Sequence, residues 1–362
     1  MKKRLIILIV LIFKISIFVF SLENPNIDGA LGGNFNEVLK EGNYLFMNKP
    51  KNGPKELQSF SGILHVESTN NRWIYQRLIS LNDISIKYER VIDNKEIPIF
   101  YEWYQNKILF IDKNISGKII VNFGDSIFGN VTGGTSISNF ISSLSGATVY
   151  NVGFGGCKMS SDESNFDSFS MYRLVDAVIS KNFIQQEEVI KKNEEIPRYF
   201  REHLELLKNI DFTKVDFVTI SYGTNDYTAG KEIDNFQDKE DKNTYSGALR
   251  YALRRLFETY PHIKILVLTP TYRFWSTKEG EFIEDSDTRA YNSKKETILS
   301  FVAATTNVAM EFKTPYLDQY FELGINKYNR LEYFSKSDGT HPNYKGRLKM
   351  SEKIVEALKN KF

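Results

Sequence analysis

Ile119-Ile120-Val121-Asn122-Phe123-Gly124-Asp125-Ser126-Ile127 is the stretch on which the reading of this chain turns. Its first five residues are mostly apolar and β-branched, and a glycine closes them, as in a strand buried within a sheet. Gly124 permits a tight exit from that strand. Ser126 then falls on the turn, with its backbone N–H directed into the cleft beyond the strand end. A Gly-Asp-Ser tripeptide alone also occurs as a plain turn and assigns no chemistry.

Working outward, the same texture repeats toward the C-terminus. Apolar runs at Thr148 to Val152, Phe217 to Ile220 and Ile263 to Leu268 read as strands. Between and after them, helical spacing covers about Ile137 to Leu144, Asp162 to Lys181, Glu194 to Lys208, Tyr245 to Thr259, Thr288 to Ala304 and Asn343 to Lys359. Alternating strands and helices predict an α/β fold with a parallel sheet covered on both faces. Reactive side chains in such folds gather where strands end.

Two further segments lie at those places. Gly223-Thr224-Asn225-Asp226 follows the strand that ends near Ser221, and puts a carboxamide on a loop at the sheet edge. Such a group can donate to a developing oxyanion; an Asx turn is its plainer use. Asp338-Gly339-Thr340-His341-Pro342 precedes the final helix. Asp and His three apart on a tight turn can set a carboxylate against an imidazole, which fixes its tautomer. Capping of the helix by Asp338 or Thr340, with Pro342 at its first position, is the alternative.

Taken together and in this order, the segments resemble the blocks of the SGNH (GDSL-like) hydrolase family, over roughly Lys118 to Phe362. The resemblance implies a three-layer, flavodoxin-like parallel sheet over residues 116–362. It makes Ser126 the nucleophile, and His341 and Asp338 the base and its partner. It places the oxyanion donors at the Ser126 N–H, the Gly156 N–H and the Asn225 side chain. Asn151-Val152-Gly153-Phe154-Gly155-Gly156 matches the glycine block; spacing picks Gly156 and leaves Gly155 open. Cys157 follows where the family often carries a polar residue, either packed or lining the cleft. The implied chemistry is acyl transfer through an acyl-enzyme, and it requires no metal or organic cofactor.

The front of the chain, residues 35–115, has a different texture. Short extended runs at Tyr44 to Phe46, Ile63 to Val66, Trp73 to Tyr75, Ile84 to Tyr88 and Ile108 to Phe110 are broken by turn chemistry such as Lys49-Pro50-Lys51-Asn52-Gly53-Pro54. This predicts a small all-β domain. Glu41-Gly42-Asn43-Tyr44, Ser61-Gly62-Ile63-Leu64, Ile74-Tyr75-Gln76-Arg77 and Lys87-Tyr88-Glu89-Arg90, closing near Trp103, resemble the pyocin-knob module of phage tail fibres. The family usually closes on paired tryptophans, and here Trp103 stands with Tyr101 and Tyr104. That resemblance implies a glycan- or receptor-binding accessory; a module that merely packs on its neighbour is the other reading.

The first residues read as an export address. Met1-Lys2-Lys3-Arg4 precedes the apolar run Leu5 to Phe13, resumed after Lys14 to Phe20, with a cleavage point after Ser21. As a helix, Leu5 to Phe20 would reach about 24 Å at ~1.5 Å per residue, short of the ~30 Å hydrocarbon core. Cleavage is therefore favoured over anchoring, residues 22–34 form a linker, and the protein is expected to be secreted or on the cell surface. Membrane contact arises only if the signal stays uncut.

Composition narrows the partners. A net charge of +2 over 362 residues gives no electrostatic case for nucleic acid. The single cysteine excludes an internal disulfide and a thiolate metal site. Only His65, His203, His262 and His341 can supply an imidazole, and His203 reads as part of a solvated helix face. The expectation is a secreted serine esterase that removes acyl groups, O-acetyl above all, from a cell-surface or extracellular carbohydrate, or acts on another small ester. An O-acyltransferase with the same residues and a non-catalytic glycan-binding protein are the rivals.

Overall fold

The structure is a computed structural model that describes residues 35–37, 39–40, 42–47, 52–53, 61–69, 73–80, 86–93, 99–100, 104–107, 115–161, 164–193 and 195–362. The expected signal, the linker, Ile108 to Phe110 and Trp103 lie outside these residues. The chain divides into two compact units between Phe110 and Ile111.

In the front unit, strands β1 (Gly42–Met47), β2 (Ser61–Thr69), β3 (Trp73–Ser80), β4 (Ile86–Asp93), β5 (Ile99–Phe100) and β6 (Tyr104–Lys107) form one antiparallel sheet. Alternation decides its buried face: Leu64 and Val66, Ile74 and Leu78, Tyr88 and Ile92 point to one core with Phe35. Gln76 and Arg90 share that buried side. The Arg90 Nε donates to Gln76 Oε1 at 2.7 Å, and Gln76 Nε2 donates to the Phe35 carbonyl at 2.7 Å. Burial pulls the Arg90 guanidinium down to about 10.

The second unit is the α/β fold that the alternation predicts. Its central sheet is parallel and ordered β13 (Tyr316–Leu317), β10 (Lys264–Leu268), β9 (Phe217–Ser221), β7 (Ile119–Gly124), β8 (Thr148–Gly153). In chain order that is 2-1-3-4-5 read from the β8 edge, the flavodoxin-like arrangement, so the strand order reverses between β7 and β9. Both strands are nearly continuous apolar runs because helices flank the sheet. Both polar ends of buried Asn122 are bonded: its Nδ2 donates to Ser138 Oγ at 2.9 Å, and its Oδ1 accepts from Thr219 Oγ1 at 2.7 Å.

The helices are α1 (Ser126–Gly129), α2 (Ile137–Ser145), α3 (Met171–Ser180), α4 (Ile184–Lys192), α5 (Arg198–Asn209), α6 (Thr224–Thr228), α7 (Tyr245–Thr259), α8 (Ile298–Glu311), α9 (Gln319–Glu322), α10 (Arg330–Tyr333) and α11 (Tyr344–Asn360). Helix α2 packs on α11, while α7 packs on both α3 and α8. An antiparallel ribbon of β11 (Phe274–Ser276) and β12 (Phe282–Asp285) adds a second, small sheet.

Helix bounds depart from the sequence reading for local reasons. The stretch read from Asp162 carries a 3-10 turn at Asn165–Phe169, and Ser170, at ψ 147, separates it from α3. Pro197 stands at the N-cap of α5, so that helix starts at Arg198 rather than Glu194. Residues 288–297 are turns and irregular backbone, and α8 begins only after Thr297. His203 is the clearest correction. With Phe200, Leu204 and Leu207 it lies on the buried stripe of α5, not on a solvated face. Its Nδ1 is 2.7 Å from the Gly153 carbonyl, and burial lowers its pKa.

Candidate active site

Strand β7 runs directly into α1, and Asp125 caps the helix by accepting from the Ile127 N–H at 2.9 Å. The end of β8 comes against this turn backbone to backbone. A Cβ on Gly129 would stand 2.6 Å from the Gly153 carbonyl oxygen, so only glycine allows the approach. That contact fixes Ser126 beside the glycine block.

The final loop reaches the same place from the other end of the chain. The Nε2 of His341 lies 2.9 Å from Ser126 Oγ, and its Nδ1 lies 2.8 Å from Asp338 Oδ2. A carboxylate only accepts, so Nδ1 carries the ring proton and Nε2 accepts from the serine hydroxyl. The other Asp338 oxygen accepts from the N–H groups of Thr340 at 2.9 Å and His341 at 3.0 Å. Burial alone would raise the Asp338 carboxyl, but those N–H groups and the His341 ring hold it below its ordinary value. Neither Asp338 nor Thr340 caps the last helix; Asn343 does, accepting from Gly346 N–H at 3.1 Å.

Asn225 sits in the first turn of α6 rather than on an open loop. Its Nδ2 donates to the Cys157 carbonyl at 2.9 Å and lies 3.4 Å from Asp125 Oδ2. The next residue, buried Asp226, holds the segment that follows the glycine block. It accepts from Met159 N–H at 2.9 Å, Ser160 N–H at 3.0 Å and Ser160 Oγ at 2.6 Å. Burial nevertheless leaves the Asp226 carboxyl raised. Burial likewise pushes Asp125 up to about 7.

The glycine block separates its two candidates. Gly155 N–H donates to the Tyr199 hydroxyl at 3.0 Å, and that hydroxyl donates to Asn130 Oδ1 at 2.9 Å. Gly156, at φ +77 with open space where a Cβ would stand, has no acceptor for its N–H among the described residues. Gly156 is thus the one free to donate. Cys157 is buried and packed, with its Sγ 3.7 Å from the Gly155 carbonyl.

Ser126, His341 and Asp338 therefore form one hydrogen-bonded chain, with Asn225 and Gly156 beside it at the C-terminal ends of β7, β8 and β9. This is the crevice where the strand order reverses. Tyr199 and Asn130 belong to the same network, and no motif in the sequence marks either. Asn130 Nδ2 also lies 3.4 Å from His341 Nε2. Among the described residues no group of three or more His, Cys, Asp or Glu side chains is placed to hold a metal.

The model of the family described as GDSL-like lipase/acylhydrolase matches residues 120–354. Among solved structures, one that is 21% identical covers 68% of this chain and 98% of its own, at a TM-score of 0.50. A protein from Lactobacillus plantarum is 19% identical over 68% of this chain and 99% of its own, at 0.48. Est24, a carbohydrate acetylesterase from Sinorhizobium meliloti, is 13% identical over 68% and 100%, at 0.43. Identities this low speak to the fold alone. Among curated proteins none matches.

Proposed function

The chain belongs to the GDSL-like lipase/acylhydrolase family, and on that premise we propose that it is an exported serine esterase that removes O-acyl groups, chiefly acetyl, from a carbohydrate. The observation that supports this most is the unbroken chain from Ser126 Oγ through the His341 ring to Asp338.

In this reading, His341 Nε2 takes the proton of Ser126 as its Oγ attacks the ester carbonyl. The carbonyl π bond opens to an oxyanion, held by the N–H groups of Ser126 and Gly156 and by Asn225. The bond from Asn225 to the Cys157 carbonyl fixes the plane of the amide, and its second hydrogen, on a long 3.4 Å contact with Asp125 Oδ2, turns to the stronger oxyanion acceptor. Collapse breaks the bond to the alcohol, and the imidazolium returns its proton to the leaving oxygen. Water, deprotonated by His341, then releases the carboxylic acid and restores Ser126. Asp338 stays ionised throughout and stabilises the imidazolium.

The carbohydrate and the export rest on the front unit and on the N-terminal pattern. A surface-glycan role for the front β-sheet, by likeness to a pyocin knob, completes the proposal. The test is p-nitrophenyl acetate turnover by wild type and Ser126→Ala, followed by acetate release from acetylated glycans. Equal rates for the two proteins refute the esterase. A dominant transfer to an added sugar acceptor makes the protein an acyltransferase instead.

A further inference from the structure

Arg273 enters the same crevice from an element that no motif flags. It precedes β11, whose Phe274 N–H donates to the Gly339 carbonyl at 3.2 Å, one residue after Asp338. On its other side, Arg273 Nη1 donates to Thr228 Oγ1 at 2.7 Å. Thr228 and Asn225 are three apart on α6 and so share a face. The guanidinium therefore lies between the helix that carries Asn225 and the loop that carries Asp338.

The head group is held rather than waving in water. It stacks 4.7 Å from the centre of the Trp275 ring, and its Nε is sealed from solvent without a hydrogen-bond partner. Two other partly enclosed arginines of this unit are neutralised. Arg250 binds Asp234 and Glu311, and Arg289, on the same tryptophan ring, pairs with Glu284. Among the described residues Arg273 has no ion pair. The carboxylates that it senses, Asp125 and Asp338, are spent on other donors. A half-buried cation left without a counter-ion costs free energy that a bound anion recovers.

We propose that Arg273 is a substrate-anion site, which pairs with a carboxylate or phosphate on the polymer whose ester Ser126 attacks. The natural ester is then carried by an acidic glycan. The exposed end of a planar guanidinium suits such oxyanions better than a neutral sugar. This inference rests on the esterase reading but is separable from it.

Two measurements test it. In the first, kcat and KM are determined for an acetylated oligogalacturonide and an acetylated xylo-oligosaccharide with wild type, Arg273→Gln and Arg273→Lys. Wild type should favour the acidic ester in kcat/KM. That preference should fall about tenfold in Arg273→Gln, chiefly through KM, and less in Arg273→Lys. An equal loss on both esters shows a merely structural arginine and overturns the proposal. Turnover of both without preference also overturns it, while leaving the esterase intact. In the second, calorimetry follows Ser126→Ala, with and without Arg273→Gln, binding oligogalacturonide, a glycerol-phosphate oligomer and a neutral xylo-oligosaccharide. Tighter binding of one anion that Arg273→Gln abolishes supports the site and names the source of charge, even if no ester turns over. Equal binding of all three refutes it.

Discussion

Tyr199→Phe removes a single oxygen and two hydrogen bonds from the edge of the site. The lost groups are the acceptor for Gly155 N–H at 3.0 Å and the donor to Asn130 Oδ1 at 2.9 Å. The ring keeps its contacts with Phe200 and His203, so the change isolates the hydroxyl. Leaving a half-buried N–H unmet, with a net bond lost as well, should cost roughly 1–3 kcal/mol of stability. Activity should fall too, because Gly155 anchors the turn that presents Gly156. Complete loss of an oxyanion donor costs about 10²–10³ in kcat. A loosened donor should therefore cost on the order of tenfold in kcat, with KM little changed. Urea denaturation and p-nitrophenyl acetate kinetics read the two effects. A double-mutant cycle with Asn130→Ala should show coupling of about 0.5 kcal/mol or more. If Tyr199→Phe matches wild type in stability and in kcat, the hydroxyl does not position the glycine turn and the reasoning is wrong.

Other outcomes follow from the same geometry. Ser126→Ala should lower kcat by about 10³-fold or more while the fold persists by circular dichroism; retained turnover would mean another nucleophile. Asn225→Ala should lose about 10²–10³ in kcat, and roughly 1 kcal/mol of stability because the Cys157 carbonyl loses its donor. Asp125, raised by burial to about 7, keeps its proton in the folded state where the unfolded chain has already lost it. Its contribution to stability is whole below about pH 4 and is lost as pH rises toward 7. The stability difference between Asp125→Asn and wild type should therefore grow across that window, as measured by denaturation at each pH; a flat difference would count against the burial argument.

Much of this architecture was readable in the linear chain, and the failures have causes. The buried strands around Val121 and Val218 announced themselves because central parallel strands lack polar interruptions. Ser126, Asn225, Asp338 and His341 stood out because each follows a strand or precedes a helix with a glycine near by. Tyr199, Asn130 and Arg273 gave no such signal. Their partners in space lie far off in sequence: Tyr199 is 44 positions from Gly155 and 69 from Asn130, Arg273 is 45 from Thr228, and Asn130 is 211 from His341. His203 reads as solvated because Glu202 and Glu205 flank it in sequence, whereas Phe200, Leu204 and Leu207 define its face in the fold. The Gly155 and Gly156 pair was separated only by the hydroxyl of Tyr199.

Helix α11 seats the His341 loop by packing on α2, while Ser126 stands just after the first strand of its unit. The imidazole and the hydroxyl that it meets are 215 positions apart. A ribosome completes the serine long before it makes the base, so a growing chain carries an inert alcohol until the last helix docks. Truncation ahead of His341, which removes the base together with that helix, would return the chain to the same silent state, so ester turnover would be a direct gauge of finished assembly.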